Sequence, residues 1–569
     1  MNNEPSTRQI ELEVRGMTCD ACARYVTQAL QGVAGVLHVE VPGWTSGQAI
    51  LAARSGVDEA QLINAVKRAG YRASIRASAP PAPQILGEVK GAAAADQAFD
   101  FDLAVIGTGG GGMAAAIKAA ELGRRAVIIE AGVLGGTCVN IGCVPSKALI
   151  RAAEAYHRAG HHPFAGVQTA AVGLDWPAVI GQKDELVAAL RQGKYEDVLA
   201  SYGDAITLIR GRARVTPDGS VALDDGRMLT AGRIVIATGA APRILPLDGI
   251  EDVEVLTSTT AMALPQQPRS LLVIGGRAVA LELGQTFARF GVQVTILQRS
   301  PRLIPEHEPA IAEALADYLR DEGLAVHTGV TPLAIRQEGD EKVVTAEVNG
   351  ARREFRAEQV LMAVGRVPRT TGMGLEEAGV MLDRDGFIVV NEFMQTSNPR
   401  IYAAGDVTQL PKLVYVAAAG GGIAAANALE GNQKRLDLTV LPDVIFTDPQ
   451  VATVGLTEAQ AHERGYDIKA TTLPLAYVPR ALAARDTRGL IKLVADRNTN
   501  RLLGAHVLAA EGGEVIQTAA LAVRMGQRYG FTVGDLREVL FPYLVQVEGL
   551  KLAAQTFEKD VAQLSCCAG

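Results

Sequence analysis

The stretch DLAVIGTGGGGMAAAIKAAELGRRAVIIE, residues 102–130, contains an apolar strand, a glycine-rich turn, a helix and a second apolar strand. Its glycines follow the spacing Gly107-x-Gly109-x-x-Gly112, which permits a tight turn and lets backbone N–H groups approach a pyrophosphate at a helix N-terminus. Glu130 ends the second strand, where a carboxylate can accept hydrogen bonds from ribose hydroxyls. The stretch predicts a Rossmann-like dinucleotide-binding domain.

A second strand–turn–helix unit, SLLVIGGRAVALE at residues 270–282, predicts another dinucleotide-binding domain. Its turn begins at Gly275 and carries Arg277 where the middle glycine of the first unit stands. The position that corresponds to Glu130 is Gln298, and Arg299 follows it. A missing acid beside a cation favours the 2′-phosphate of NADPH over NADH, so we expect Gly275, Arg277 and Arg299 to bind NADPH.

Composition limits the classes of partner. The chain has 569 residues, 48% hydrophobic content and a net charge of −7, so we expect no nucleic-acid partner and no general attraction to anionic membranes. The N-terminus has no apolar signal-peptide core, and the longest apolar stretch, residues 413–426, indicates a buried helix too short to span a bilayer. These features predict a cytoplasmic protein without membrane insertion.

The domain organisation follows from the order of strands, helices and linkers. Residues 8–76 have the order βαββαβ of a ferredoxin-like unit, and residues 77–98 form an Ala/Pro/Gly-rich linker. The fold class is therefore α/β: two Rossmann-like domains and an α+β interface domain, preceded by a ferredoxin-like domain. The predicted limits are 1–76 for the ferredoxin-like domain, 77–98 for the linker, 99–246 and 376–440 for the two parts of the first Rossmann-like domain, 247–375 for the second, and 441–569 for the interface domain.

The six cysteines all fall into close pairs. The pairs are Cys19 with Cys22, Cys138 with Cys143, and Cys566 with Cys567. Local pairs in a large chain indicate thiol chemistry or soft-metal binding rather than a secreted disulfide scaffold. Three chance pairs of inert cysteines are the alternative, although inert buried cysteines tend to be scattered.

The central pair lies in GGTCVNIGCVPSK, residues 135–147. Together with IVIATGAAPRILP (residues 234–246) and IYAAGD (residues 401–406), it makes residues 99–569 closely similar to the flavin-dependent pyridine nucleotide–disulfide oxidoreductases. The resemblance implies that NADPH reduces FAD, and that FAD reduces a Cys138–Cys143 disulfide. It further implies that Cys143 is the thiolate in contact with the flavin, whereas Cys138 is the interchange thiol nearer the substrate.

The resemblance also assigns cofactor contacts, position by position. Lys147 is expected to pair with Glu282 beside the flavin, where a cation stabilises electron density arriving on the ring. In addition to Gly107 and Gly109 of the fingerprint, the residues expected to line FAD are Gly112, Glu130, Gly132, Thr137, Lys147, Ala213, Asp406 and Val414.

The C-terminal segment FPYLVQVEGLK, residues 541–551, bears on the substrate. Family members that reduce organic disulfides carry a His-Pro pair there, whereas this chain has Phe541 before Pro542 and no histidine after His506. An organic disulfide leaves as a thiolate that needs a proton, but a metal ion held by two thiolates does not. The segment and the terminal LSCCAG resemble the mercury(II)-reducing members of the family.

That resemblance implies Hg(II)–thiol complexes as the substrate and a homodimer whose active site is shared between subunits. Cys566 and Cys567 are expected to bind the metal and pass it to the partner's central cysteine pair. Tyr195 and Tyr543 are expected to assist at the metal, although without the family either could equally be a core aromatic residue.

The first cysteine pair lies in GMTCDACA, residues 16–23, which resembles the heavy-metal-associated domain. Cys19 and Cys22 are the expected ligands, and on its own the motif suits Cu(I) as well as Hg(II). Two alternatives to Hg(II) reduction therefore remain open. One is an NADPH-dependent reductase of an organic disulfide, and the other is a metal-sequestering or copper-delivering protein with a vestigial flavin domain.

Overall fold

A computed structural model gives the architecture of the chain, which divides into two units, Met1–Gln97 and Ala98–Gly569. Within the described residues, no helix is both long and apolar enough to cross a membrane. The structure describes residues 7–15, 17, 26, 27, 29–33, 35–41, 48–54, 57–69, 71–75 and 99–564.

The N-terminal unit is built on a four-stranded antiparallel sheet in the order β2-β3-β1-β4. Its elements are β1 (Thr7–Arg15), β2 (Val36–Glu40), β3 (Gln48–Arg54), α1 (Glu59–Arg68) and β4 (Arg72–Ile75). Leu12 and Leu51 are fully buried on one face of the sheet with Leu62 of α1, because alternate strand residues point to the same side. Helical residues 26, 27 and 29–31 stand where the first helix is predicted, and the ferredoxin-like class is confirmed.

The chain then enters the first Rossmann-like domain through a fully buried parallel strand. Leu103–Ile106 and Ala126–Ile129 are almost wholly buried, as expected for strands covered on both faces. The elements are β5 (Phe101–Ile106), α2 (Gly110–Glu121), β6 (Ala126–Glu130), α3 (Gly136–Ile141), α4 (Cys143–Gly160), α5 (Trp176–Arg191), a π-helical turn (Gln192–Glu196), α6 (Asp197–Ser201), a 3₁₀ turn (Gly203–Ala205), β7 (Ile206–Arg210), β8 (Ala213–Val215), β9 (Val221–Leu223), β10 (Met228–Leu229), β11 (Ala231–Ile236) and β12 (Ala240–Pro242).

The second Rossmann-like domain has a parallel sheet in the order β15-β14-β13-β19 and an antiparallel sheet in the order β16-β17-β18. Its last strand pairs with β12 and returns the chain to the first domain. The elements are a 3₁₀ turn (Ile250–Asp252), α7 (Ser258–Ala261), β13 (Ser270–Ile274), α8 (Ala278–Arg289), β14 (Gln293–Gln298), α9 (Pro309–Asp321), β15 (Ala325–Thr328), β16 (Val330–Glu338), β17 (Glu341–Val348), β18 (Ala351–Ala357), β19 (Gln359–Met362) and β20 (Arg366–Pro368).

Two further elements, β21 (Ile401–Ala403) and α10 (Val414–Glu430), complete the first domain. Its parallel sheet has the order β21-β11-β5-β6-β7, so a strand from late in the chain lies at one edge. The apolar stretch predicted as a buried helix is α10, which packs against α2. The pattern of two strand–turn–helix units therefore gives the predicted α/β class.

The interface domain is a five-stranded antiparallel sheet in the order β22-β23-β26-β25-β24, with helices packed on it. Its elements are β22 (Asp443–Ile445), β23 (Gln450–Gly455), α11 (Glu458–Glu463), β24 (Ile468–Pro474), a 3₁₀ turn (Leu475–Tyr477), α12 (Pro479–Ala484), β25 (Leu490–Asp496), β26 (Leu502–Ala509), α13 (Gly512–Tyr529), α14 (Val533–Glu538), α15 (Glu548–Gln555) and a 3₁₀ turn (Val561–Gln563).

Candidate active site

The backbone of the first glycine turn approaches neighbouring backbone at distances that only glycine allows. Gly107 has φ +106°, and a Cβ there would lie 2.3 Å from the carbonyl oxygen of Ala237. A Cβ on Gly112 would lie 1.8 Å from the carbonyl oxygen of Gly107. The turn therefore presents bare backbone at the carboxyl ends of the strands, where α/β folds bind nucleotides.

Two long helices begin at this turn. α2 begins at Gly110 and α10 begins at Val414, and a Cβ added to Gly110 would lie 3.1 Å from Val414 Cγ2. Within the described chain, the N-cap residues Gly109 and Leu413 make no side-chain capping hydrogen bond. The first N–H groups of both helices are therefore available to an anion.

Glu130 is held between the glycine turn and the loop that follows β6. Its Oε2 accepts hydrogen bonds from the backbone N–H of Thr108, at 3.2 Å, and from the Thr108 hydroxyl. Its Oε1 accepts from the backbone N–H of Gly132 at 2.7 Å, and Gly135 N–H donates to Thr108 Oγ1 at 3.1 Å. Thr108 is fully buried and was not predicted, although a hydroxyl inside a glycine fingerprint was available as a signal.

The Asp406 carboxylate has a partly buried cation beside it that the sequence analysis did not identify. Arg366 Nε lies 3.3 Å from Asp406 Oδ2, but within the described structure this buried nitrogen makes no hydrogen bond. Burial lowers the pKa of Arg366, and the Asp406 carboxylate opposes that shift. The unused donor, the glycine-rich turn and the two open helix N-termini fit an anionic dinucleotide such as FAD. Ala213, in β8, is buried in the same domain.

The redox-candidate cysteines lie at the junction of α3 and α4. Cys138 is in α3 and Cys143 is the first residue of α4, and both are half-buried free thiols. The hydrogen bond from Cys138 lowers the pKa of the Cys143 thiol to about 7, and Lys147 adds to the effect. The same hydrogen bond and burial raise the pKa of Cys138. Of the two thiols, Cys143 is therefore the one that loses its proton first. Thr137 lies next to the pair, with its carbonyl oxygen 2.9 Å from where a Cβ of Gly142 would be.

Lys147 is one turn along α4 from Cys143, and it meets residues from two other domains. Its Nζ donates to Glu282 Oε2 at 2.7 Å and lies 4.4 Å from the centre of the Phe446 ring. Glu282 is buried in α8, and its Oε1 accepts from the backbone N–H of Phe446 at 3.0 Å. The structure thus brings Lys147 and Glu282 together and adds Phe446, which the sequence analysis did not assign.

Tyr195 lies in the π-helical turn after α5, beside the cysteine loop. A Cβ on Gly135 would be 3.4 Å from Tyr195 Cδ2. Burial raises the pKa of Tyr195, and the charges of Cys138 and Cys143 raise it further. The Tyr195 hydroxyl therefore keeps its proton at neutral pH. π-helical turns are rare and occur often at functional sites.

A link between α5 and the cysteine loop was also missed. Arg191 Nη1 donates to Asn140 Oδ1 at 3.1 Å, and Asn140 Nδ2 donates to the carbonyl oxygens of Leu134, at 2.8 Å, and Gly136, at 2.9 Å. Nothing in the local pattern of α5 predicts that Arg191 reaches this loop, because the contact joins residues far apart in sequence.

The second glycine turn has the same backbone geometry as the first. Gly275 has φ +129°, and a Cβ there would lie 2.3 Å from the carbonyl oxygen of Ala363. Arg277 is exposed, and its Nε donates to Glu306 Oε2 at 3.2 Å. Gln298 is buried at the end of β14, whereas the next residue, Arg299, is exposed. An exposed cation at the end of this strand is available to a 2′-phosphate.

One further predicted site residue belongs to the interface domain. Tyr543 is 56% exposed on the interface domain. Cys19, Cys22, Cys566 and Cys567 lie outside the described residues, so the structure bears on neither the first nor the last cysteine pair.

The fold and the paired cysteines define a flavin-dependent class of oxidoreductase, and comparison with known proteins agrees. Residues 101–421 match the pyridine nucleotide-disulphide oxidoreductase family and residues 441–554 match its dimerisation domain, so the chain belongs to this family. Residues 11–72 match the heavy-metal-associated domain. The enzyme class, the cofactors FAD and NADPH, and the predicted resemblance are confirmed.

Within the family, several curated mercuric reductases are similar to this chain. The one from Bacillus cereus is 43% identical, with 99% of this chain and 87% of that protein aligned. The one from Shigella flexneri is 46% identical, with 98% and 100% aligned, and the one from Streptomyces lividans is 49% identical, with 82% and 98% aligned.

Solved structures of other family members share the fold. The HOCl-induced flavoprotein disulfide reductase RclA from Escherichia coli is 30% identical with a TM-score of 0.71, over 80% of this chain and 99% of that one. LpdA from Mycobacterium tuberculosis is 27% identical with a TM-score of 0.71, over 80% of this chain and 100% of that one.

Proposed function

We propose that this chain catalyses NADPH + Hg(II) → NADP⁺ + Hg(0) + H⁺, an activity that detoxifies mercury. The observation that carries the proposal is the cysteine pair at the junction of α3 and α4, where the hydrogen bond from Cys138 and the nearby Lys147 lower the pKa of Cys143. The mercuric reductases at 43–49% identity support the same substrate. When bound, FAD supplies two-electron transfer between NADPH and the cysteine pair.

The chain's own residues have distinct parts in this reaction. Soft thiolates bind Hg(II), and each incoming thiolate attacks the metal before an outgoing thiol leaves. Both central cysteines are proposed to bind the metal, with Cys138 nearer the substrate and the more readily ionised Cys143 nearer the flavin. Tyr195 lies beside the cysteine loop and is proposed to assist at the metal.

The assigned cofactor contacts and domain limits belong to the same proposal. We assign NADPH to Gly275, Arg277 and Arg299, and we keep the six predicted segments, from 1–76 to 441–569, as the domain limits. The residues assigned to FAD are Gly107, Gly109, Gly112, Glu130, Gly132, Thr137, Lys147, Ala213, Asp406 and Val414. Cys19 and Cys22 are assigned to Hg(II) binding in the N-terminal domain, and the location is assigned to the cytoplasm.

The active site is proposed to be shared between two subunits. On α13, the apolar residues Leu521, Met525 and Tyr529 are 57%, 42% and 80% exposed, and their spacing of four places them on one helix face. An exposed apolar stripe on the domain that matches a dimerisation domain supports a homodimer. We propose that Tyr543, Cys566 and Cys567 of each subunit serve the cysteine pair of the other.

The reaction is tested by supplying Hg(II) with excess thiol to the holoenzyme and following NADPH absorbance together with the release of Hg(0) vapour. We expect Hg(II)-dependent NADPH oxidation with an equal amount of Hg(0), and none with oxidised glutathione in place of Hg(II). NADPH oxidation by the organic disulfide without Hg(0) would favour the disulfide-reductase alternative. Metal binding without NADPH oxidation would favour the metal-sequestering alternative.

Sharing of the site is tested by mixing two inactive variants. One carries Cys138→Ala and Cys143→Ala, and the other carries Cys566→Ala and Cys567→Ala. A mixed dimer has one complete shared site, so we expect activity to return. Mixed dimers that form but remain inactive would show that the C-terminal pair does not act across the interface.

A further inference from the structure

One buried face of α8 holds the segment of the interface domain that contacts Lys147. Glu282, Gln285 and Arg289 occupy positions i, i+3 and i+7 of this helix, and all three are buried. Each of them contacts the segment 446–448, which connects β22 to β23. Three polar side chains on a buried helix face are costly unless their hydrogen bonds are satisfied.

Gln285 pairs with the backbone of Asp448 as a neighbouring strand would. Its Oε1 accepts from Asp448 N–H at 2.8 Å, and its Nε2 donates to the Asp448 carbonyl oxygen at 2.9 Å. The second Nε2 hydrogen is directed to Glu322 Oε2 at 3.0 Å. All the donors and the acceptor of this amide are therefore used in one orientation.

Arg289 contacts mainly carboxylates rather than backbone. Its guanidinium makes two hydrogen bonds to Glu322, at 2.9 and 2.6 Å, and lies 2.9 Å from Asp448 Oδ2. It also donates to the Asp448 carbonyl oxygen, but at 3.3 Å and without touching the N–H. Arg289 thus neutralises the partly buried carboxylates of Glu322 and Asp448, whereas Gln285 fixes the path of the backbone.

The fixed segment reaches Lys147 through Phe446. The Phe446 N–H donates to Glu282 Oε1, the other oxygen of that carboxylate accepts from Lys147, and the Phe446 ring faces Lys147 Nζ at 4.4 Å. Both neighbours of the ammonium group therefore depend on where residue 446 lies. Residue 446 is two positions from the backbone that Gln285 holds.

We propose that Gln285 is a positioning residue for Lys147, because it fixes the segment 446–448 whose Phe446 holds both the ammonium group and its carboxylate partner. The proposal rests on the proposed function, in which Lys147 acts beside FAD. Gln285 does not itself contact the reacting atoms.

The test measures two properties of the holoenzyme without any mercury: the rate at which NADPH bleaches the flavin absorbance, and the midpoint potential of the bound flavin. Gln285→Met keeps the size of the side chain and removes its hydrogen bonds. The matched control is Asn427→Leu, because Asn427 is a buried amide that likewise accepts from Lys434 N–H, at 2.9 Å, and donates to the Lys434 carbonyl oxygen, at 2.7 Å.

We expect Gln285→Met to slow flavin bleaching roughly tenfold and to lower the flavin potential, as Lys147→Met does, because a cation is displaced in both. The double variant should be no slower than Lys147→Met alone, since Gln285 acts through that residue. Asn427→Leu should change neither property, even where it lowers thermal stability. The proposal would be overturned if the fold reductions in bleaching rate of the two single variants multiplied in the double variant. It would also be overturned if Gln285→Met changed neither the bleaching rate nor the flavin potential.

If Gln285→Met does not retain FAD, Gln285→Asn is measured instead, since it keeps the amide but shortens its reach by one methylene. Hydrogen exchange of the peptide spanning residues 444–450 provides a second readout. We expect faster exchange in the Gln285 variants than in Asn427→Leu, and equal exchange would overturn the proposal. Mercury-dependent turnover of the unaltered protein is measured separately, so failure of the proposed function would be recognised by itself.

Discussion

Gly421 is the residue whose substitution most directly tests the packing that supports the first nucleotide turn. It lies in α10 where that helix crosses α2, and a Cβ there would be 2.0 Å from the carbonyl oxygen of Gly111. Non-bonded heavy atoms approach no closer than about 3 Å without strong repulsion, so Gly421→Ala requires the two helices to separate by about 1 Å.

The energetic cost follows from this geometry. Overpacking a close contact costs about 1–3 kcal/mol, and the obstructing atoms here are backbone, which cannot turn aside as a side chain does. The higher helix propensity of alanine relative to glycine offsets about 1 kcal/mol of this cost, which leaves a net destabilisation of up to about 2 kcal/mol. Since α10 begins at Val414 beside Gly110, the separation also opens the cleft proposed for FAD.

The adjacent Gly422 provides the control. It lies in the same helix, and a Cβ there would meet nothing within 4 Å in the described structure. We expect Gly421→Ala to lose bound FAD and to unfold at lower temperature, whereas Gly422→Ala should retain FAD and be stabilised by about 0.5–1 kcal/mol. FAD content after gel filtration and thermal melting would be measured for both, and indistinguishable results would refute the argument from helix contact.

Four further outcomes are expected. The enzyme should prefer NADPH, and Arg299→Glu should shift the ratio of kcat/KM values towards NADH by reversing the charge at the end of β14; no shift would mean that Arg299 does not touch the 2′-phosphate. Because the pKa of Cys143 is lowered from 9.0 to about 7, its alkylation in the reduced protein should be half-maximal near pH 7 and slow as pH falls below it. Cys143→Ser should abolish the thiolate-to-flavin charge-transfer absorbance, whereas Cys138→Ser should keep it and lose mercury reduction; the reverse would exchange their roles. Residues 1–76 expressed alone should bind one Hg(II), and their deletion should leave turnover of small Hg–thiol complexes largely intact. Loss of all activity on deletion would contradict this prediction.

The local parts of this molecule could be predicted from the sequence because their causes are local. A glycine turn between a strand and a helix is dictated by backbone sterics, so Gly107 and Gly275 could be placed from spacing alone. Strand alternation and helical spacing likewise gave the order of elements in the N-terminal unit, and the α/β class is confirmed.

The contacts that the sequence did not reveal join distant elements. Phe446 is 299 positions from Lys147, and Gln285 is 163 positions from Asp448, so no spacing rule relates them. Arg366 could not be predicted for a different reason. It lies in a strand whose side chains could equally face solvent, and only the folded structure buries its Nε. Roles assigned by resemblance, including those of the tyrosines and the cofactor-lining residues, stay predictions.

The π-helical turn at Gln192–Glu196 makes the placement of Tyr195 depend on chain length rather than on side-chain chemistry. Such a turn holds one residue more than an α-helical turn, and it lies directly between α5 and α6. Deletion of Gly193 would let the three segments run as a single α-helix, in which one residue fewer covers nearly the same rotation about the axis, so α6 would keep its orientation. Tyr195 lies inside the turn, so its direction relative to Gly135 would change although its own codon was untouched. A relative one residue shorter at this turn would keep the tyrosine in an alignment and displace it from the cysteine loop.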